Sequence, residues 1–175
     1  MAANVSIRQR TGVTGSPTDT IITNLQFTAA DVANNGSNNP ITALSGSSVN
    51  SYGVALFLNS DTTPVTNINN IRAYTSGTNP WTGVNLAMST GSTYTQSGGT
   101  SGSGTTLNAT NYPGTTTPGS AFSYTQVVPL GVNGSIANPN VGKISDFVYL
   151  QLTVTPTVAQ GALAQSNFYI DRDEY

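Results

Sequence analysis

The chain has 175 residues, enough for one domain, with no cysteine, no histidine and a single lysine, Lys143. Disulfides, thiolate metal sites, cysteine nucleophiles and any Ser-His-Asp triad are thereby excluded. Charged residues make up 7 % of the chain, its net charge is −2, and its five cations (Arg8, Arg10, Arg72, Lys143 and Arg172) are scattered; they form no basic face for phosphates, so nucleic acid is not an expected partner.

Strand signals dominate from the start. Val5-Ser6-Ile7-Arg8 alternates apolar and polar side chains, as a half-buried strand does, and Arg8 and Arg10 share one face. The turn residues Gly15, Ser16 and Pro17 precede a strand expected over Thr20–Phe27. One helical turn is expected at Thr28–Ala33, ending at Asn34-Asn35-Gly36. Tyr52–Leu58 is almost continuously apolar, which predicts a central strand covered on both sides. Asn69–Tyr74 is a further, weaker strand candidate.

In the second half, Phe122–Val128 alternates and stops at Pro129. Asn133-Gly134, between Leu130–Val132 and Ser135-Ile136, predicts a type I′ hairpin turn. The clearest period of two runs over Asp146–Thr155: Val148, Leu150, Leu152 and Val154 share the face expected to be buried, with Phe147, Tyr149, Gln151 and Thr153 opposite. Pro156 ends this strand, Ala159-Gln160-Gly161 supplies a turn, and a return strand through Ala162–Ile170 is expected to close a hairpin. Short strands bounded by Gly, Pro and Asn define the expected fold class: all-β, a single antiparallel β-sandwich, Ig-like or jelly roll.

Residues 89–120 stand apart, being dominated by Ser, Thr and Gly, with Tyr94, Leu107, Ala109 and Tyr112 as the main side chains able to pack. Such composition favours an exposed loop or linker. The alternative is an arm or long hairpin that orders against a neighbouring subunit.

No constellation proposes catalysis, since the usual acid–base residues are missing and Glu174 is the only glutamate. No enzymatic activity and no cofactor are expected. Asp171 and Asp173, in the cluster Asp171-Arg172-Asp173-Glu174, would share a strand face and could offer oxygen ligands to calcium; a solvated chain end with an internal arginine partner is the plainer reading. Trp81, the single tryptophan, lies in the turn-rich Thr78–Gly83 segment, where it could stack on a sugar ring, anchor a partner, or cap one end of the core. Tyr74, Tyr94 and Tyr112 add to that candidate surface, and Arg8 and Arg10 complete the candidate contact residues. The sequons at Asn4, Asn35, Asn108 and Asn133 are what chance yields in a chain so rich in Asn, Ser and Thr.

The closing stretch, Ile144–Thr155 followed by Asn167–Asp171, resembles the last two strands of Ig-like sandwich domains. The chain as a whole resembles the decoration (cement) and minor structural proteins of tailed-phage particles, in its leaderless start, its lack of cysteine and its Ser/Thr/Asn/Gly-rich strands. That resemblance carries over no functional residue. It implies a virion structural protein that binds a capsid or other virion protein. The start, lacking a basic n-region and an apolar h-region, is expected to be no signal peptide, in keeping with synthesis in the host cytoplasm, and low charge with lysine-poor strand edges predicts a homo-oligomer. Residues 1–12 would be an arm exchanged with a neighbour. Two alternatives remain open: a receptor- or carbohydrate-binding fibre module using Trp81 and the tyrosines, and a self-polymerising extracellular filament subunit. No membrane partner is expected, because no apolar run approaches the ~20 residues of a span.

Overall fold

The computed structural model describes residues 2–33, 37–100, 102–158 and 164–175. It is all-β, with antiparallel pairing throughout. In chain order the strands are β1 (Val5–Thr11), β2 (Thr18–Ile21), β3 (Val49–Asn50), β4 (Val54–Ser60), β5 (Asn67–Thr75), β6 (Val84–Gly91), β7 (Gly99–Thr100), β8 (Ser103–Gly104), β9 (Gly119–Ser120), β10 (Leu130–Val132), β11 (Ile136–Ala137), β12 (Gly142–Lys143), β13 (Phe147–Val154) and β14 (Phe168–Glu174). The larger sheet has the order β2-β1-β4-β13-β6-β9, with β12 extending the pairing along β4 and β3 along β13. In the smaller sheet β5 is central. β14 runs along one of its edges, and β10 and β11 lie end to end along the other.

The two sheets pack face to face. Val54, Leu56 and Leu58 of β4, Val84, Leu86 and Met88 of β6, and Val148, Leu150, Leu152 and Val154 of β13 meet Ile68, Ile71 and Ala73 of β5 in one buried cluster. These side chains alternate along their strands, as the pleat of a sheet with one face toward the core demands. At the second sheet's midpoint the ladder is irregular: Asn70 and Ile71 together oppose Arg172, and Asn70 adopts φ +50°. Asparagine tolerates this left-handed conformation better than most residues, which suits it to a bulge.

The far face of the larger sheet is also buried. Ala55 and Phe57 of β4 and Phe147 and Tyr149 of β13 form a second cluster with Leu107 and Tyr112, and Ala87 and Tyr94 pack against it. Residues 92–100 and 102–116, within the Ser/Thr/Gly-rich stretch, lie over this face as a third layer. Gln151, 2 % exposed, pins it: its side-chain carbonyl accepts from Leu107 N–H (2.7 Å), and its amide donates to Thr105 O (2.7 Å) and Ser51 O (2.9 Å). Glycine permits the close approach. A Cβ on Gly53 would lie 2.5 Å from the Tyr112 hydroxyl, and one on Gly104 would overlap the Ser51 carbonyl. The expectation of a single buried face on β13 is therefore corrected: Phe147, Tyr149 and Gln151 are buried as completely as their aliphatic neighbours.

Other expectations are corrected by the pairing. β14 does not form a hairpin with β13, because β4 and β6 already occupy both edges of β13; it joins β5 instead. The expected turn at Ala159-Gln160-Gly161 and the start of the return strand lie outside the described residues. Asn133-Gly134 makes no type I′ hairpin: its flanking strands share one edge of β5, while Asn133 O accepts from Asp146 N–H (2.7 Å) and Gly134 bridges to Ser145. Over Phe122–Val128 there is no strand. Ala121–Ser123 forms a 3₁₀ turn that buries Ala121 and Phe122, and a turn follows in which Thr125 N–H donates to Val128 O (3.1 Å). The expected strand over Thr20–Phe27 stops at Ile21. Thr28–Ala33 forms bends rather than a helical turn, since its backbone bonds outward, Tyr52 N–H to Thr28 O and Ala29 N–H to Asn39 O, both 2.9 Å; Asn34–Gly36 lie outside the described residues. The N-terminal segment forms β1 inside its own sheet, between β2 and β4.

Replacing Gln151 by Leu keeps the volume but strands Leu107 N–H and the Thr105 and Ser51 carbonyls. A loss of about 2–5 kcal/mol is expected in urea unfolding. Hydrogen exchange at Leu107 should accelerate more than exchange at β13 itself.

Candidate functional site

Three of the six candidate contact residues, Arg10, Tyr94 and Tyr112, converge on the buried far face of the larger sheet. Arg10 forms a two-pronged ion pair with Asp19, both contacts 2.7 Å, across the β1–β2 pair. Its guanidinium carbon stands 5.1 Å from the Phe57 ring centroid, 5.3 Å from Phe147 and 5.8 Å from Tyr94. The hydrogen bond to Asp19 raises the Arg10 pKa further above its already high ordinary value. Such a cation, fixed by a carboxylate and surrounded by ring faces, knits the third layer to the sheet. Tyr94 completes the contact by donating to Gly12 O (2.8 Å). Tyr112 is wholly buried, edge-on to Tyr149 at 5.4 Å, with its hydroxyl 2.9 Å from Ser97 Oγ. Arg8, by contrast, is held by Asp61 at 2.7 Å near the opposite end of β1.

The second sheet's outer face carries Tyr74 and the C-terminal acids. Tyr74 stacks on Tyr169 with ring centroids 5.1 Å apart and planes 22° from parallel. Arg72 Nη2 sits between Asp171 (3.3 Å) and Asp173 (2.8 Å), and Asn70 Nδ2 also donates to Asp173 (2.5 Å). The hydrogen bond from Asn70 holds the Asp173 carboxyl below its usual range. The pair suggested for calcium is thus occupied by an arginine cation, and among the described residues no group of three or more His, Cys, Asp or Glu could hold a metal ion. The arginine partner is Arg72 on the neighbouring strand, and the acids belong to β14 rather than to a frayed end.

Trp81 lies at the end of the sandwich where β13 finishes. Its indole N–H donates to Ala164 O (2.6 Å), and its ring meets Phe122 edge-on at 5.5 Å. It caps the core there, and it also forms part of the wall of a cavity of about 920 Å³ between the sheets. The strands contribute aliphatic side chains to that cavity, together with Phe168 of β14 and Thr75 of β5, whose hydroxyl lies 3.2 Å from Ala121 O. The segments 22–27, 40–43 and 164–167 contribute its neutral polar groups. Sequence reading missed this cavity, because its wall is assembled from eight or more separate stretches and no local pattern marks it.

Also missed were the apolar residues left in water. Val127 and Val128, in the turn beside the C-terminal end of β5, are 89 % and 64 % exposed. At the opposite end Val65, Val141 and Tyr175 are 51 %, 57 % and 65 % exposed. Alternation had placed Val127 and Val128 in a strand; it could not show that the strand would be replaced by a turn.

Tyr149 tests the third layer through pH. Its hydroxyl donates to Thr93 O (2.9 Å) and accepts from Thr95 N–H (2.8 Å), and burial pushes its pKa up to about 12. Because the folded state holds this proton more tightly than the unfolded chain, the stability it contributes is complete below pH 10 and is lost as pH rises toward 12. Tyr149→Phe should lower the unfolding free energy at pH 8 by about 1–3 kcal/mol and flatten the decline in Tm across that alkaline window.

Comparison with family models, with curated proteins and with solved structures finds no match to this chain.

Proposed function

We propose that the protein is a non-catalytic structural component of a larger assembly, a virion decoration protein that joins neighbouring subunits through neutral and apolar contacts. The observation that carries this reading is how the molecule divides its charged and apolar groups. Arg8, Arg10 and Arg72 are each committed to carboxylates of the same chain. Aliphatic side chains stand in water at both ends of the sandwich, Val127 and Val128 at one, Val65 and Val141 at the other. Three of the five cations are thus already paired within the chain, which lowers the cost of desolvating charge when such ends are buried against another subunit. Two adhesive ends on one rigid body let it bridge neighbours. The outer edge of β2, with Ile21 55 % exposed and no lysine, is a third contact surface open to strand addition.

One observation favours the carbohydrate-binding alternative. The stacked Tyr74–Tyr169 pair presents a flat aromatic platform with Tyr169 42 % exposed. Glycan-array binding that disappears in Tyr169→Ala would support that reading over the first.

The double substitution Val127→Asp, Val128→Asp tests the assembly reading, because both positions are exposed and the fold should lose less than about 0.5 kcal/mol. Light scattering should find the wild-type protein as an oligomer. The double variant should shift toward the 18.0 kDa monomer with its circular dichroism and Tm unchanged. A wild-type protein that stays monomeric at every concentration would count against assembly through these ends; long filaments would favour the polymerising subunit.

A further inference from the structure

We infer that the cavity between the two sheets is a binding site for a neutral amphiphile, a molecule with an apolar body and an uncharged polar end. Its size, about 920 Å³, falls at the upper end of the ~300–1,000 Å³ that small-molecule sites occupy. Its composition is divided in a way that a mere packing defect would not require. The floor is aliphatic and comes from the strands: Ile7 of β1, Leu56 of β4, Leu86 of β6, and Leu150, Leu152 and Val154 of β13. The neutral hydrogen-bonding groups come from the covering segments, among them Thr23, Asn24, Thr42, Gln165 and Asn167. Among the described residues, no Asp, Glu, Lys or Arg lines the wall. A carboxylate or ammonium placed there would meet no opposite charge among the described lining residues, whereas an alcohol or amide end could bond to the polar segments.

The sandwich architecture accounts for the space. The larger sheet is six strands wide in its main order, and the smaller is built on β5 with one strand line on either side. The smaller sheet therefore cannot cover the larger one completely. Segments 22–27 and 40–43 bridge the uncovered region without filling it. The first residue of β14, Phe168, stands at the boundary.

Trp81 is the only tryptophan and forms part of the wall, so the protein carries its own reporter. Dodecan-1-ol, titrated below its solubility limit, and dodecanoate, titrated below its micellisation limit, present the same chain with a neutral and a charged end. A saturable change in Trp81 fluorescence is expected, with the alcohol binding at least about tenfold more tightly than the carboxylate, a difference of ~1.4 kcal/mol. Val154→Phe, which enlarges a floor residue, should abolish the signal; Ala43→Phe does the same from the covering side if the first variant fails to fold. The Val127→Asp, Val128→Asp variant should bind the alcohol as well as the wild type. Absence of a saturable change, equal affinity for the two ligands, or loss of binding only in the surface variant would each overturn the inference. None of these outcomes bears on the assembly reading, which rests on the outer ends.

Discussion

β13 carries Val148, Leu150, Leu152 and Val154 on one face and Phe147, Tyr149 and Gln151 on the other, and all seven are buried. A strand apolar on both faces must be covered twice, and the rest of the molecule follows from that requirement. The smaller sheet covers the aliphatic face. The other face is covered by chain that is poor in apolar residues, so the few it has must each be placed well. Leu107, Tyr112 and Tyr94 supply the contact, while Gln151, Tyr149 and Arg10 supply directional bonds where hydrophobic area is short. At about 25 cal/mol per Å², so few side chains contribute little transfer free energy. The buried hydrogen bonds to Gln151 and Tyr149 consequently matter more here than in the aliphatic layer.

The same economy of apolar and charged residues shapes the surface. With twelve charged residues in 175, most of the exterior is Ser, Thr, Asn and Gly. Three arginines are used to fasten strands and layers: Arg10 to Asp19 and the aromatic rings, Arg8 to Asp61, and Arg72 to the acids of β14. Little charge is left to keep the molecule apart from its neighbours, and the aliphatic side chains at both ends remain exposed. A protein so built is suited to being held in an assembly, which is the physical content of the proposed role.

Much of the sheet was legible because period two is a local signal. β1, β4, β5 and β13 lie where alternation or continuous apolarity placed them. Tyr52–Leu58 was readable as a strand covered on both sides because no polar residue interrupts Val54–Leu58. What failed was everything set by distant pairing. The alternating Phe122–Val128 became a turn because Phe122 inserts beside Trp81. Asn133-Gly134 has hairpin chemistry, yet β5 offers one continuous edge to both flanking strands. Ser, Thr and Gly in residues 89–120 suggested an exposed loop or linker, since composition reports average burial and not the three or four side chains that dock. The candidate contact residues suffered in the same way: Arg10, Tyr94 and Tyr112 are chemically suited to an interface, and the interface they make is internal.

The claim most open to direct test is that residues 92–100 and 102–116 are a built third layer of the fold. Native-state hydrogen exchange of the isolated protein, read residue by residue, addresses it. Leu107 N–H, Tyr112 N–H and Thr95 N–H, which donate to Gln151, Asn108 and Tyr149, should be protected to within about a hundredfold of the β13 amides. Exchange of these amides at the rate of an unstructured peptide, while β13 stays protected, would contradict the account and leave the aromatic face of the sheet without its cover.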